Sequence, residues 1–327
     1  MVELELLTAL RGKKRDIWEQ FLLSSGITPE ELPEKTVLLW DGNVLAATGS
    51  LQGNLFKYLA TEPLYQGQGL LATVLTALRQ EAFLAGHRHL FLYTKPQNEP
   101  LFLPLLFYPV ASTDKVLLME DHKNGIQSFL DSLPSSSIDS SAIVMNCDPF
   151  TLGHRYLIET AAKESEHLYV FVLSEDKGYF SAEDRLNMVK LGTKDLPNVT
   201  VLPTGPYLIS SATFPTYFLK DRDSAETIHC QLDIAVFTRY YAPKFRITRR
   251  YVGTEPLSAM TAQYNAVLAD ALPRHGITLT QIPRKEADGS PISASRVRKA
   301  LSANDWDTVR SLVPSTTFRY LRRNHYD

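Results

Sequence analysis

After residue 138 the chain settles into a repeat of short apolar runs and amphipathic stretches, and no other feature constrains its fold as tightly. Residues 142–145, 168–173, 199–202, 250–253 and 277–282 have the length and apolar content of buried strands. Residues 152–162 and 181–191 carry apolar side chains at helical spacing, with Ser181 placed to cap the second helix. Strands that are apolar on both faces must be covered on both faces, so the alternation predicts a doubly wound parallel α/β sheet. Residues 293–327 read as a helical tail.

Ahead of the repeat, the stretch SLPSSSIDSS at 132–141 holds six serines and a proline and little that could be buried. It predicts a boundary between two domains, 1–138 and 139–327, and two is the number that 327 residues of ordinary composition support. The first domain reads as a smaller α/β unit. Residues 37–40 and 44–50 flank the turn signal Asp41-Gly42-Asn43 as a hairpin, and 55–60 adds a strand. A helix then opens at Leu70 behind Gly67 and Gly69, with Leu71, Val74, Leu75, Leu78, Phe83 and Leu84 on its apolar stripe. Gly86 closes it, and 89–93 returns as a strand.

Composition excludes several classes of function. The net charge is −2, with 11 basic against 15 acidic residues up to Ile138 and 23 against 21 after it. Such a balance argues against nucleic-acid binding but allows a local phosphate site in the second half. The longest apolar run, 101–110, is interrupted by Pro104 and Pro109 and is too short to span a bilayer, so no membrane partner is expected. The N-terminal residues do not read as a signal peptide, and two cysteines make no disulfide framework, which points to the reducing cytoplasm. Neither Cys147 nor Cys230 has metal-ligand spacing, and no protein metal site is expected.

Two segments carry the chemistry. The first, Asn146-Cys147-Asp148-Pro149-Phe150-Thr151-Leu152-Gly153-His154, lies between the first strand and first helix of the second domain. Ligands of open α/β sheets sit at that end of the strands, where a helix N-terminus offers N–H groups and partial positive charge. Gly153 would let the backbone approach a phosphate, and His154 could donate a hydrogen bond to a phosphoryl oxygen as charge develops there. The second, Gly289-Ser290-Pro291-Ile292-Ser293-Ala294-Ser295-Arg296-Val297-Arg298, follows a strand and opens a helix. Ser293 and Ser295 suit a first turn that holds anionic oxygens, and Arg298 can reach back to pair with a polyphosphate. The basic runs YAPKFRITRR and FRYLRR read as solvated faces.

Together these segments resemble the (His/Thr)-x-Gly-His and Ile-Ser-x-(Ser/Thr)-x-x-Arg elements of the nucleotidyltransferase superfamily. MNCDPFTLGHRYLIETAA, ISSATFPTYFLK, YVGTEPLSAMTAQYN and GSPISASRVRKAL resemble the citrate lyase ligase family, and the similarity runs over essentially the whole chain. Asp148 departs from it, standing where a second Asn is expected, and Asp accepts but does not donate. The resemblance implies an acid–thiol ligase that uses ATP as substrate. Acetate attacks the α-phosphorus to give acetyl adenylate and pyrophosphate. The thiol of a CoA-like prosthetic group on the acyl carrier subunit of citrate lyase then takes the acetyl group and releases AMP. It places His154 on the α-phosphoryl group with Thr151 beside it, and Ser293, Ser295 and Arg298 on the β and γ phosphates. Asn146, Phe150 and Gly153 join the nucleotide site, as do Gly253 and Glu255 after a later strand. Arg185, in the Phe-x-x-x-x-Arg run that begins at Phe180, and Lys177 are candidate phosphate contacts. Mg²⁺ would bridge phosphate oxygens, largely through water.

The first domain resembles a GNAT-type N-acetyltransferase, including the run FLYTKP at 91–96. Gln66-Gly67-Gln68-Gly69-Leu70-Leu71 is similar to that family's pyrophosphate loop, with Gly67 and Gly69 as a candidate pantetheine loop, although Leu71 is bulky where the family keeps a small residue. Two other readings of the chain stay open at this point. One is a nucleotidyltransferase that moves AMP or CMP onto a phosphorylated small molecule. The other is an acetyl-CoA-dependent acetyltransferase or a carrier-binding module.

Overall fold

The structure is a computed structural model that describes residues 2–175, 178–209, 214–219, 225–254, 259–287 and 289–324. Contacts divide the chain into two units, Met1–Gly125 with Pro215–Ile228, and Ile126–Phe214 with His229–Asp327.

In the first unit β1 (Glu3–Leu7), α1 (Gly12–Ser24), β2 (Lys35–Asp41), β3 (Val44–Gln52) and β4 (Leu55–Thr61) precede α2 (Leu70–Leu84). After it come β5 (Phe91–Thr94), α3 (Glu99–Phe102), β6 (Tyr108–Ser112) and β7 (Leu117–Glu120). The seven strands form one mixed sheet in the order β1-β2-β3-β4-β5-β7-β6, an α/β unit as expected. Only β4 and β5 pair in parallel, and they do so at Leu55–Phe91 and Phe56–Leu92. Helix α2 lies on β2, β3 and β4 and approaches closely at Gly49, where an added Cβ would stand 2.6 Å from both Leu59 and Val74. Its buried stripe is Leu70, Val74, Leu75, Leu78 and Ala82. Phe83 and Leu84, expected on that stripe, are exposed.

Helix α4 (Gly125–Asp131) leads into the second unit, which is built on β8 (Ser140–Met145), α5 (Leu152–Lys163), β9 (Leu168–Val172), α6 (Ala182–Gly192) and β10 (Val199–Pro203). Then follow α7 (Ala225–Val236), a π-helical turn over Phe237–Tyr241, α8 (Ala242–Lys244), β11 (Ile247–Gly253), α9 (Ala259–Ala271) and β12 (Thr278–Ile282). A two-stranded hairpin, β13 (Glu286–Ala287) with β14 (Ser290–Pro291), precedes α10 (Ala294–Ser302), α11 (Trp306–Leu312) and α12 (Ser315–Asn324). All five main strands are parallel, in the order β10-β9-β8-β11-β12. The chain therefore steps outward from β8 in one direction and resumes on the other side of it, so a crevice opens between the carboxyl ends of β8 and β11. The helical tail closes one face. Val297, Val309, Leu312 and Leu321 share a core with Ile143, Val170 and Val172, and Tyr320 Oη donates to Asp184 Oδ1 at 2.7 Å.

The contact boundary falls at 125/126 and not in the serine-rich stretch. Ile126 and Leu130 of α4 are buried, and the Phe129 ring sits over Gly205 and near Tyr207, so α4 packs with the second unit before the serines begin. The first unit also takes back Pro215–Ile228. Thr28 N donates to Tyr217 O at 2.9 Å, and the Tyr217 ring lies 4.8 Å from that of Tyr58. The YAPKFRITRR run is not a solvated face throughout. Tyr241, Phe245 and Ile247 are core, and Arg250, 1% exposed on the inner strand β11, donates to Asp233 at 3.4 Å and to Tyr264 Oη at 3.0 Å. No helix among the described residues is long and apolar enough to cross a membrane.

Candidate active site

The chain leaves β8 at the crevice through Asn146 and Cys147, the latter held at φ 56, and Thr151 caps α5. Thr151 Oγ1 accepts from His154 N at 3.3 Å, and His154 Nδ1 accepts from Thr151 N at 3.1 Å, a reciprocal pair that satisfies two otherwise orphaned donors. This cap decides the chemistry of the imidazole. With Nδ1 accepting, the proton of the neutral ring is on Nε2, which is the ring's donor. Burial, aided by the nearby positive charge of Arg284, lowers the His154 pKa to about 4. The ring is a neutral donor at physiological pH. Thr151, 1% exposed, has its hydroxyl committed to the cap and positions His154.

Phe150 is fully buried, stacked 6.0 Å from the His154 ring, with Gly192 behind it; a Cβ there would stand 2.4 Å from the phenyl ring. The structure thus places Phe150 in the core as a backing for His154 and not at the surface where a nucleotide could reach it.

The second segment arrives at the same place. Ser293 caps α10 by accepting from Arg296 N at 3.3 Å, and Ile292, just before it, presses its carbonyl oxygen toward Gly153, where a Cβ would come within 3.1 Å. The protein's own backbone therefore approaches Gly153 on its Cβ side. Arg298 Nη1 donates to the carbonyl oxygen of Asp148 and lies 3.5 Å from its Oδ2, while Nη2 donates to Ser295 Oγ at 3.2 Å. The carboxylate of Asp148 also accepts from Tyr179 N and Phe180 N at 3.0 and 2.9 Å. Asp148 is thus an acceptor that ties the two segments together, the one role in which Asp suits this position better than Asn.

Arg185 is wholly buried. Its donors go to the carbonyl oxygens of Phe180, Asn146 and Glu175 and to Asn146 Oδ1. It braces the ends of β8 and of the loop after β9 and is not presented to an incoming phosphate. Asn146 is exposed, and with its amide oxygen held by Arg185 it offers the crevice its NH₂ donors. Gly253 ends β11, with its carbonyl accepting from Asn265 Nδ2 at 3.0 Å. Lys177 and Glu255 lie outside the described residues. In the first unit Gly67 and Gly69 take φ 77 and 78, with open space around both. Leu71 there packs against the hydrophobic core, so its bulk is turned away from the loop.

Arg284 was not singled out by the sequence. It follows β12, donates through its backbone N to Thr254 Oγ1 at 3.2 Å and through Nε to Thr254 O at 2.9 Å, and so stands at the β11–β12 end of the crevice, where its charge is felt by His154. Its signal is the basic pair Arg284-Lys285 placed directly beyond the carboxyl end of the edge strand.

Known proteins resemble this chain over most of its length. Residues 140–321 match the model of the citrate lyase ligase C-terminal domain, a span that contains every residue of the crevice named above. The citrate (pro-3S)-lyase ligase of Klebsiella pneumoniae is 37% identical over 318 residues, covering 94% of this chain and 92% of that one. Its Escherichia coli counterpart is 37% identical over 322 residues, covering 95% of this chain and 91% of that one. Among solved structures, Thermotoga maritima TmcAL bound with alpha-thio ATP covers 57% of this chain and 56% of its own at 12% identity, with a TM-score of 0.35. A family model over more than half the chain and relatives matched nearly end to end leave one assignment: the chain belongs to the citrate lyase ligase family.

Proposed function

We propose that this protein is the ATP-dependent acid–thiol ligase of citrate lyase: acetate and ATP give acetyl adenylate and pyrophosphate, and the carrier subunit's thiol then takes the acetyl group with release of AMP. The observation that supports this most is the meeting of two capped helix starts at the β8/β11 crevice, with a neutral His154 Nε2–H between them, in a chain of this family.

Adenylation asks little covalent chemistry of the protein. It must hold acetate in line with the α-phosphorus and stabilise charge on the phosphoryl oxygens and the departing pyrophosphate. His154 Nε2 donates to an α-phosphoryl oxygen, and a neutral donor can do so without giving up a proton. The start of α10, Ser293, Ser295 and Arg298 take the β and γ phosphates, with Arg298 exchanging its contacts to Asp148 and Ser295 for phosphate oxygens. Arg284 adds positive charge opposite. The Asp148 carboxylate is already engaged by two N–H groups and a guanidinium, so it is a poor hard-cation ligand. Mg²⁺ is accordingly expected to ride on the phosphates of ATP, where it supplies further charge neutralisation.

Product identification tests the reading. ATP, acetate and the thiol-bearing carrier should yield AMP, pyrophosphate and an acetyl thioester with equal loss of carrier thiol. A stable dinucleotide-like product would instead mark a nucleotidyltransferase, and acetyl transfer from acetyl-CoA without ATP would mark an acetyltransferase.

A further inference from the structure

The first unit brings together three metal-binding side chains that the adenylation chemistry does not use. Strands β5 and β7 pair with Phe91 opposite Glu120, so the residues just before β5 and just after β7 are neighbours. The alignment is locked by Asp121 N donating to Leu90 O at 3.0 Å and Leu90 N donating to Asp121 Oδ1 at 2.9 Å. On this frame His89, Asp121 and His122 each offer one ligand atom, and the three atoms lie within 4.8 Å of one another. The imidazole rings of His89 and His122 are 4.4 Å apart, and His122 Nδ1 is 2.8 Å from Asp121 Oδ1.

We propose that His89, Asp121 and His122 form a binding site for a divalent transition metal of the zinc class. Two imidazoles and one carboxylate are the donor set that such ions prefer, whereas Mg²⁺ and Ca²⁺ favour oxygen alone. Zinc–nitrogen bonds of 2.0–2.1 Å put donors on one ion roughly 3.3 Å apart. The cluster is a short closure from that spacing, and His122, which is exposed, can move to make it. A further contact supports a built site. Glu120, 2% exposed, holds His89 Nε2 at 2.7 Å, the carboxylate–imidazole contact that orients a ligand ring and raises its basicity. Tight packing at Gly125 keeps the pair in place, since a Cβ there would stand 2.8 Å from the His89 ring. The ion would clamp the loop after β7 to the strand beside it, with water completing its coordination. The site does not depend on the adenylation reading, and His89 lies thirty-two positions before the Asp121-His122 pair in sequence, which is why spacing alone does not reveal it.

Titration of the full chain with Zn²⁺ alone, followed by calorimetry and by metal content after dialysis, tests the proposal. One ion per chain is expected. His122→Ala should weaken binding by more than the about 10–100-fold typical of losing an outer-shell partner, and Glu120→Gln should weaken it by about that amount. His154→Ala should leave the stoichiometry unchanged, which separates this site from the crevice. Mg²⁺ should not compete. Absence of stoichiometric zinc binding, or binding equally tight in wild type and the well-folded His122→Ala and Asp121→Asn proteins, would overturn it.

Discussion

At the scale of single residues, the protonation state of His154 is the most consequential feature, and the Thr151 cap and burial set it jointly. Its pKa falls from 6.5 to about 4 in the folded protein, so between those values the unfolded chain binds a proton that the native chain does not. The stability it lends is present above pH 6.5 and lost as pH falls toward 4, a loss of roughly 3 kcal/mol at most. Urea unfolding at pH 7 and pH 4.5 in wild type and His154→Gln checks this; the difference between the two proteins should shrink toward acid. Arg298 offers a second residue-level expectation. Arg298→Ala should raise the KM for ATP and slow pyrophosphate release, and Arg298→Lys should recover only part of the loss, because an ammonium lacks the planar fork that now holds Asp148 and Ser295 and would pair with phosphate oxygens. Steady-state kinetics with ATP varied decides it, and normal turnover in both variants would reduce Arg298 to a structural tie.

At the scale of elements, two glycines govern how the helices meet. Gly153→Ala pushes a methyl group against the Ile292 carbonyl at the α5–α10 junction, and Gly192→Ala pushes one into the Phe150 ring that backs His154. Each should cost about 1–3 kcal/mol, the usual range for overpacking, measurable as a lowered denaturant midpoint. Gly192→Ala should also slow adenylation although it touches no substrate, since it displaces the support of His154. These elements were largely legible in the sequence. The parallel strands announced themselves as short apolar runs, and Ser181 stands as the N-cap its residue type predicted, while Thr151 and Ser293, expected at the nucleotide, also cap their helices. What could not be read was the direction of side chains across the fold. Phe150 and Arg185 lie in motifs that suggested contact with the nucleotide, yet burial turns one into core and the other into a brace. Arg284 joins the crevice only because β12 pairs beside β11, and β6 and β7 were hidden by the prolines and the short spacing of that stretch.

At the scale of the whole molecule, the division of the chain is not a single cut. Residues 215–219 pack with the first unit through Thr28–Tyr217 and Glu30–Thr216 hydrogen bonds and the Tyr58–Tyr217 ring contact. A fragment of residues 139–327 therefore leaves Tyr217, 5% exposed in the full chain, without Thr28, Tyr58 and Tyr93. Such a fragment should aggregate or melt well below the full-length protein, as light scattering and calorimetry would show; a fragment as stable as the parent would mean that this excursion contributes little. The account as a whole turns on adenylation at the β8/β11 crevice with His154 as the donor to the transition state. Its most direct test is acetate-dependent exchange of labelled pyrophosphate into ATP, measured on wild type and on folded His154→Ala without any carrier present. The wild-type protein should exchange only when acetate is supplied, and the variant should be slower by about 10²–10³. Exchange at equal rates in the two proteins, or none in the wild type, would contradict it.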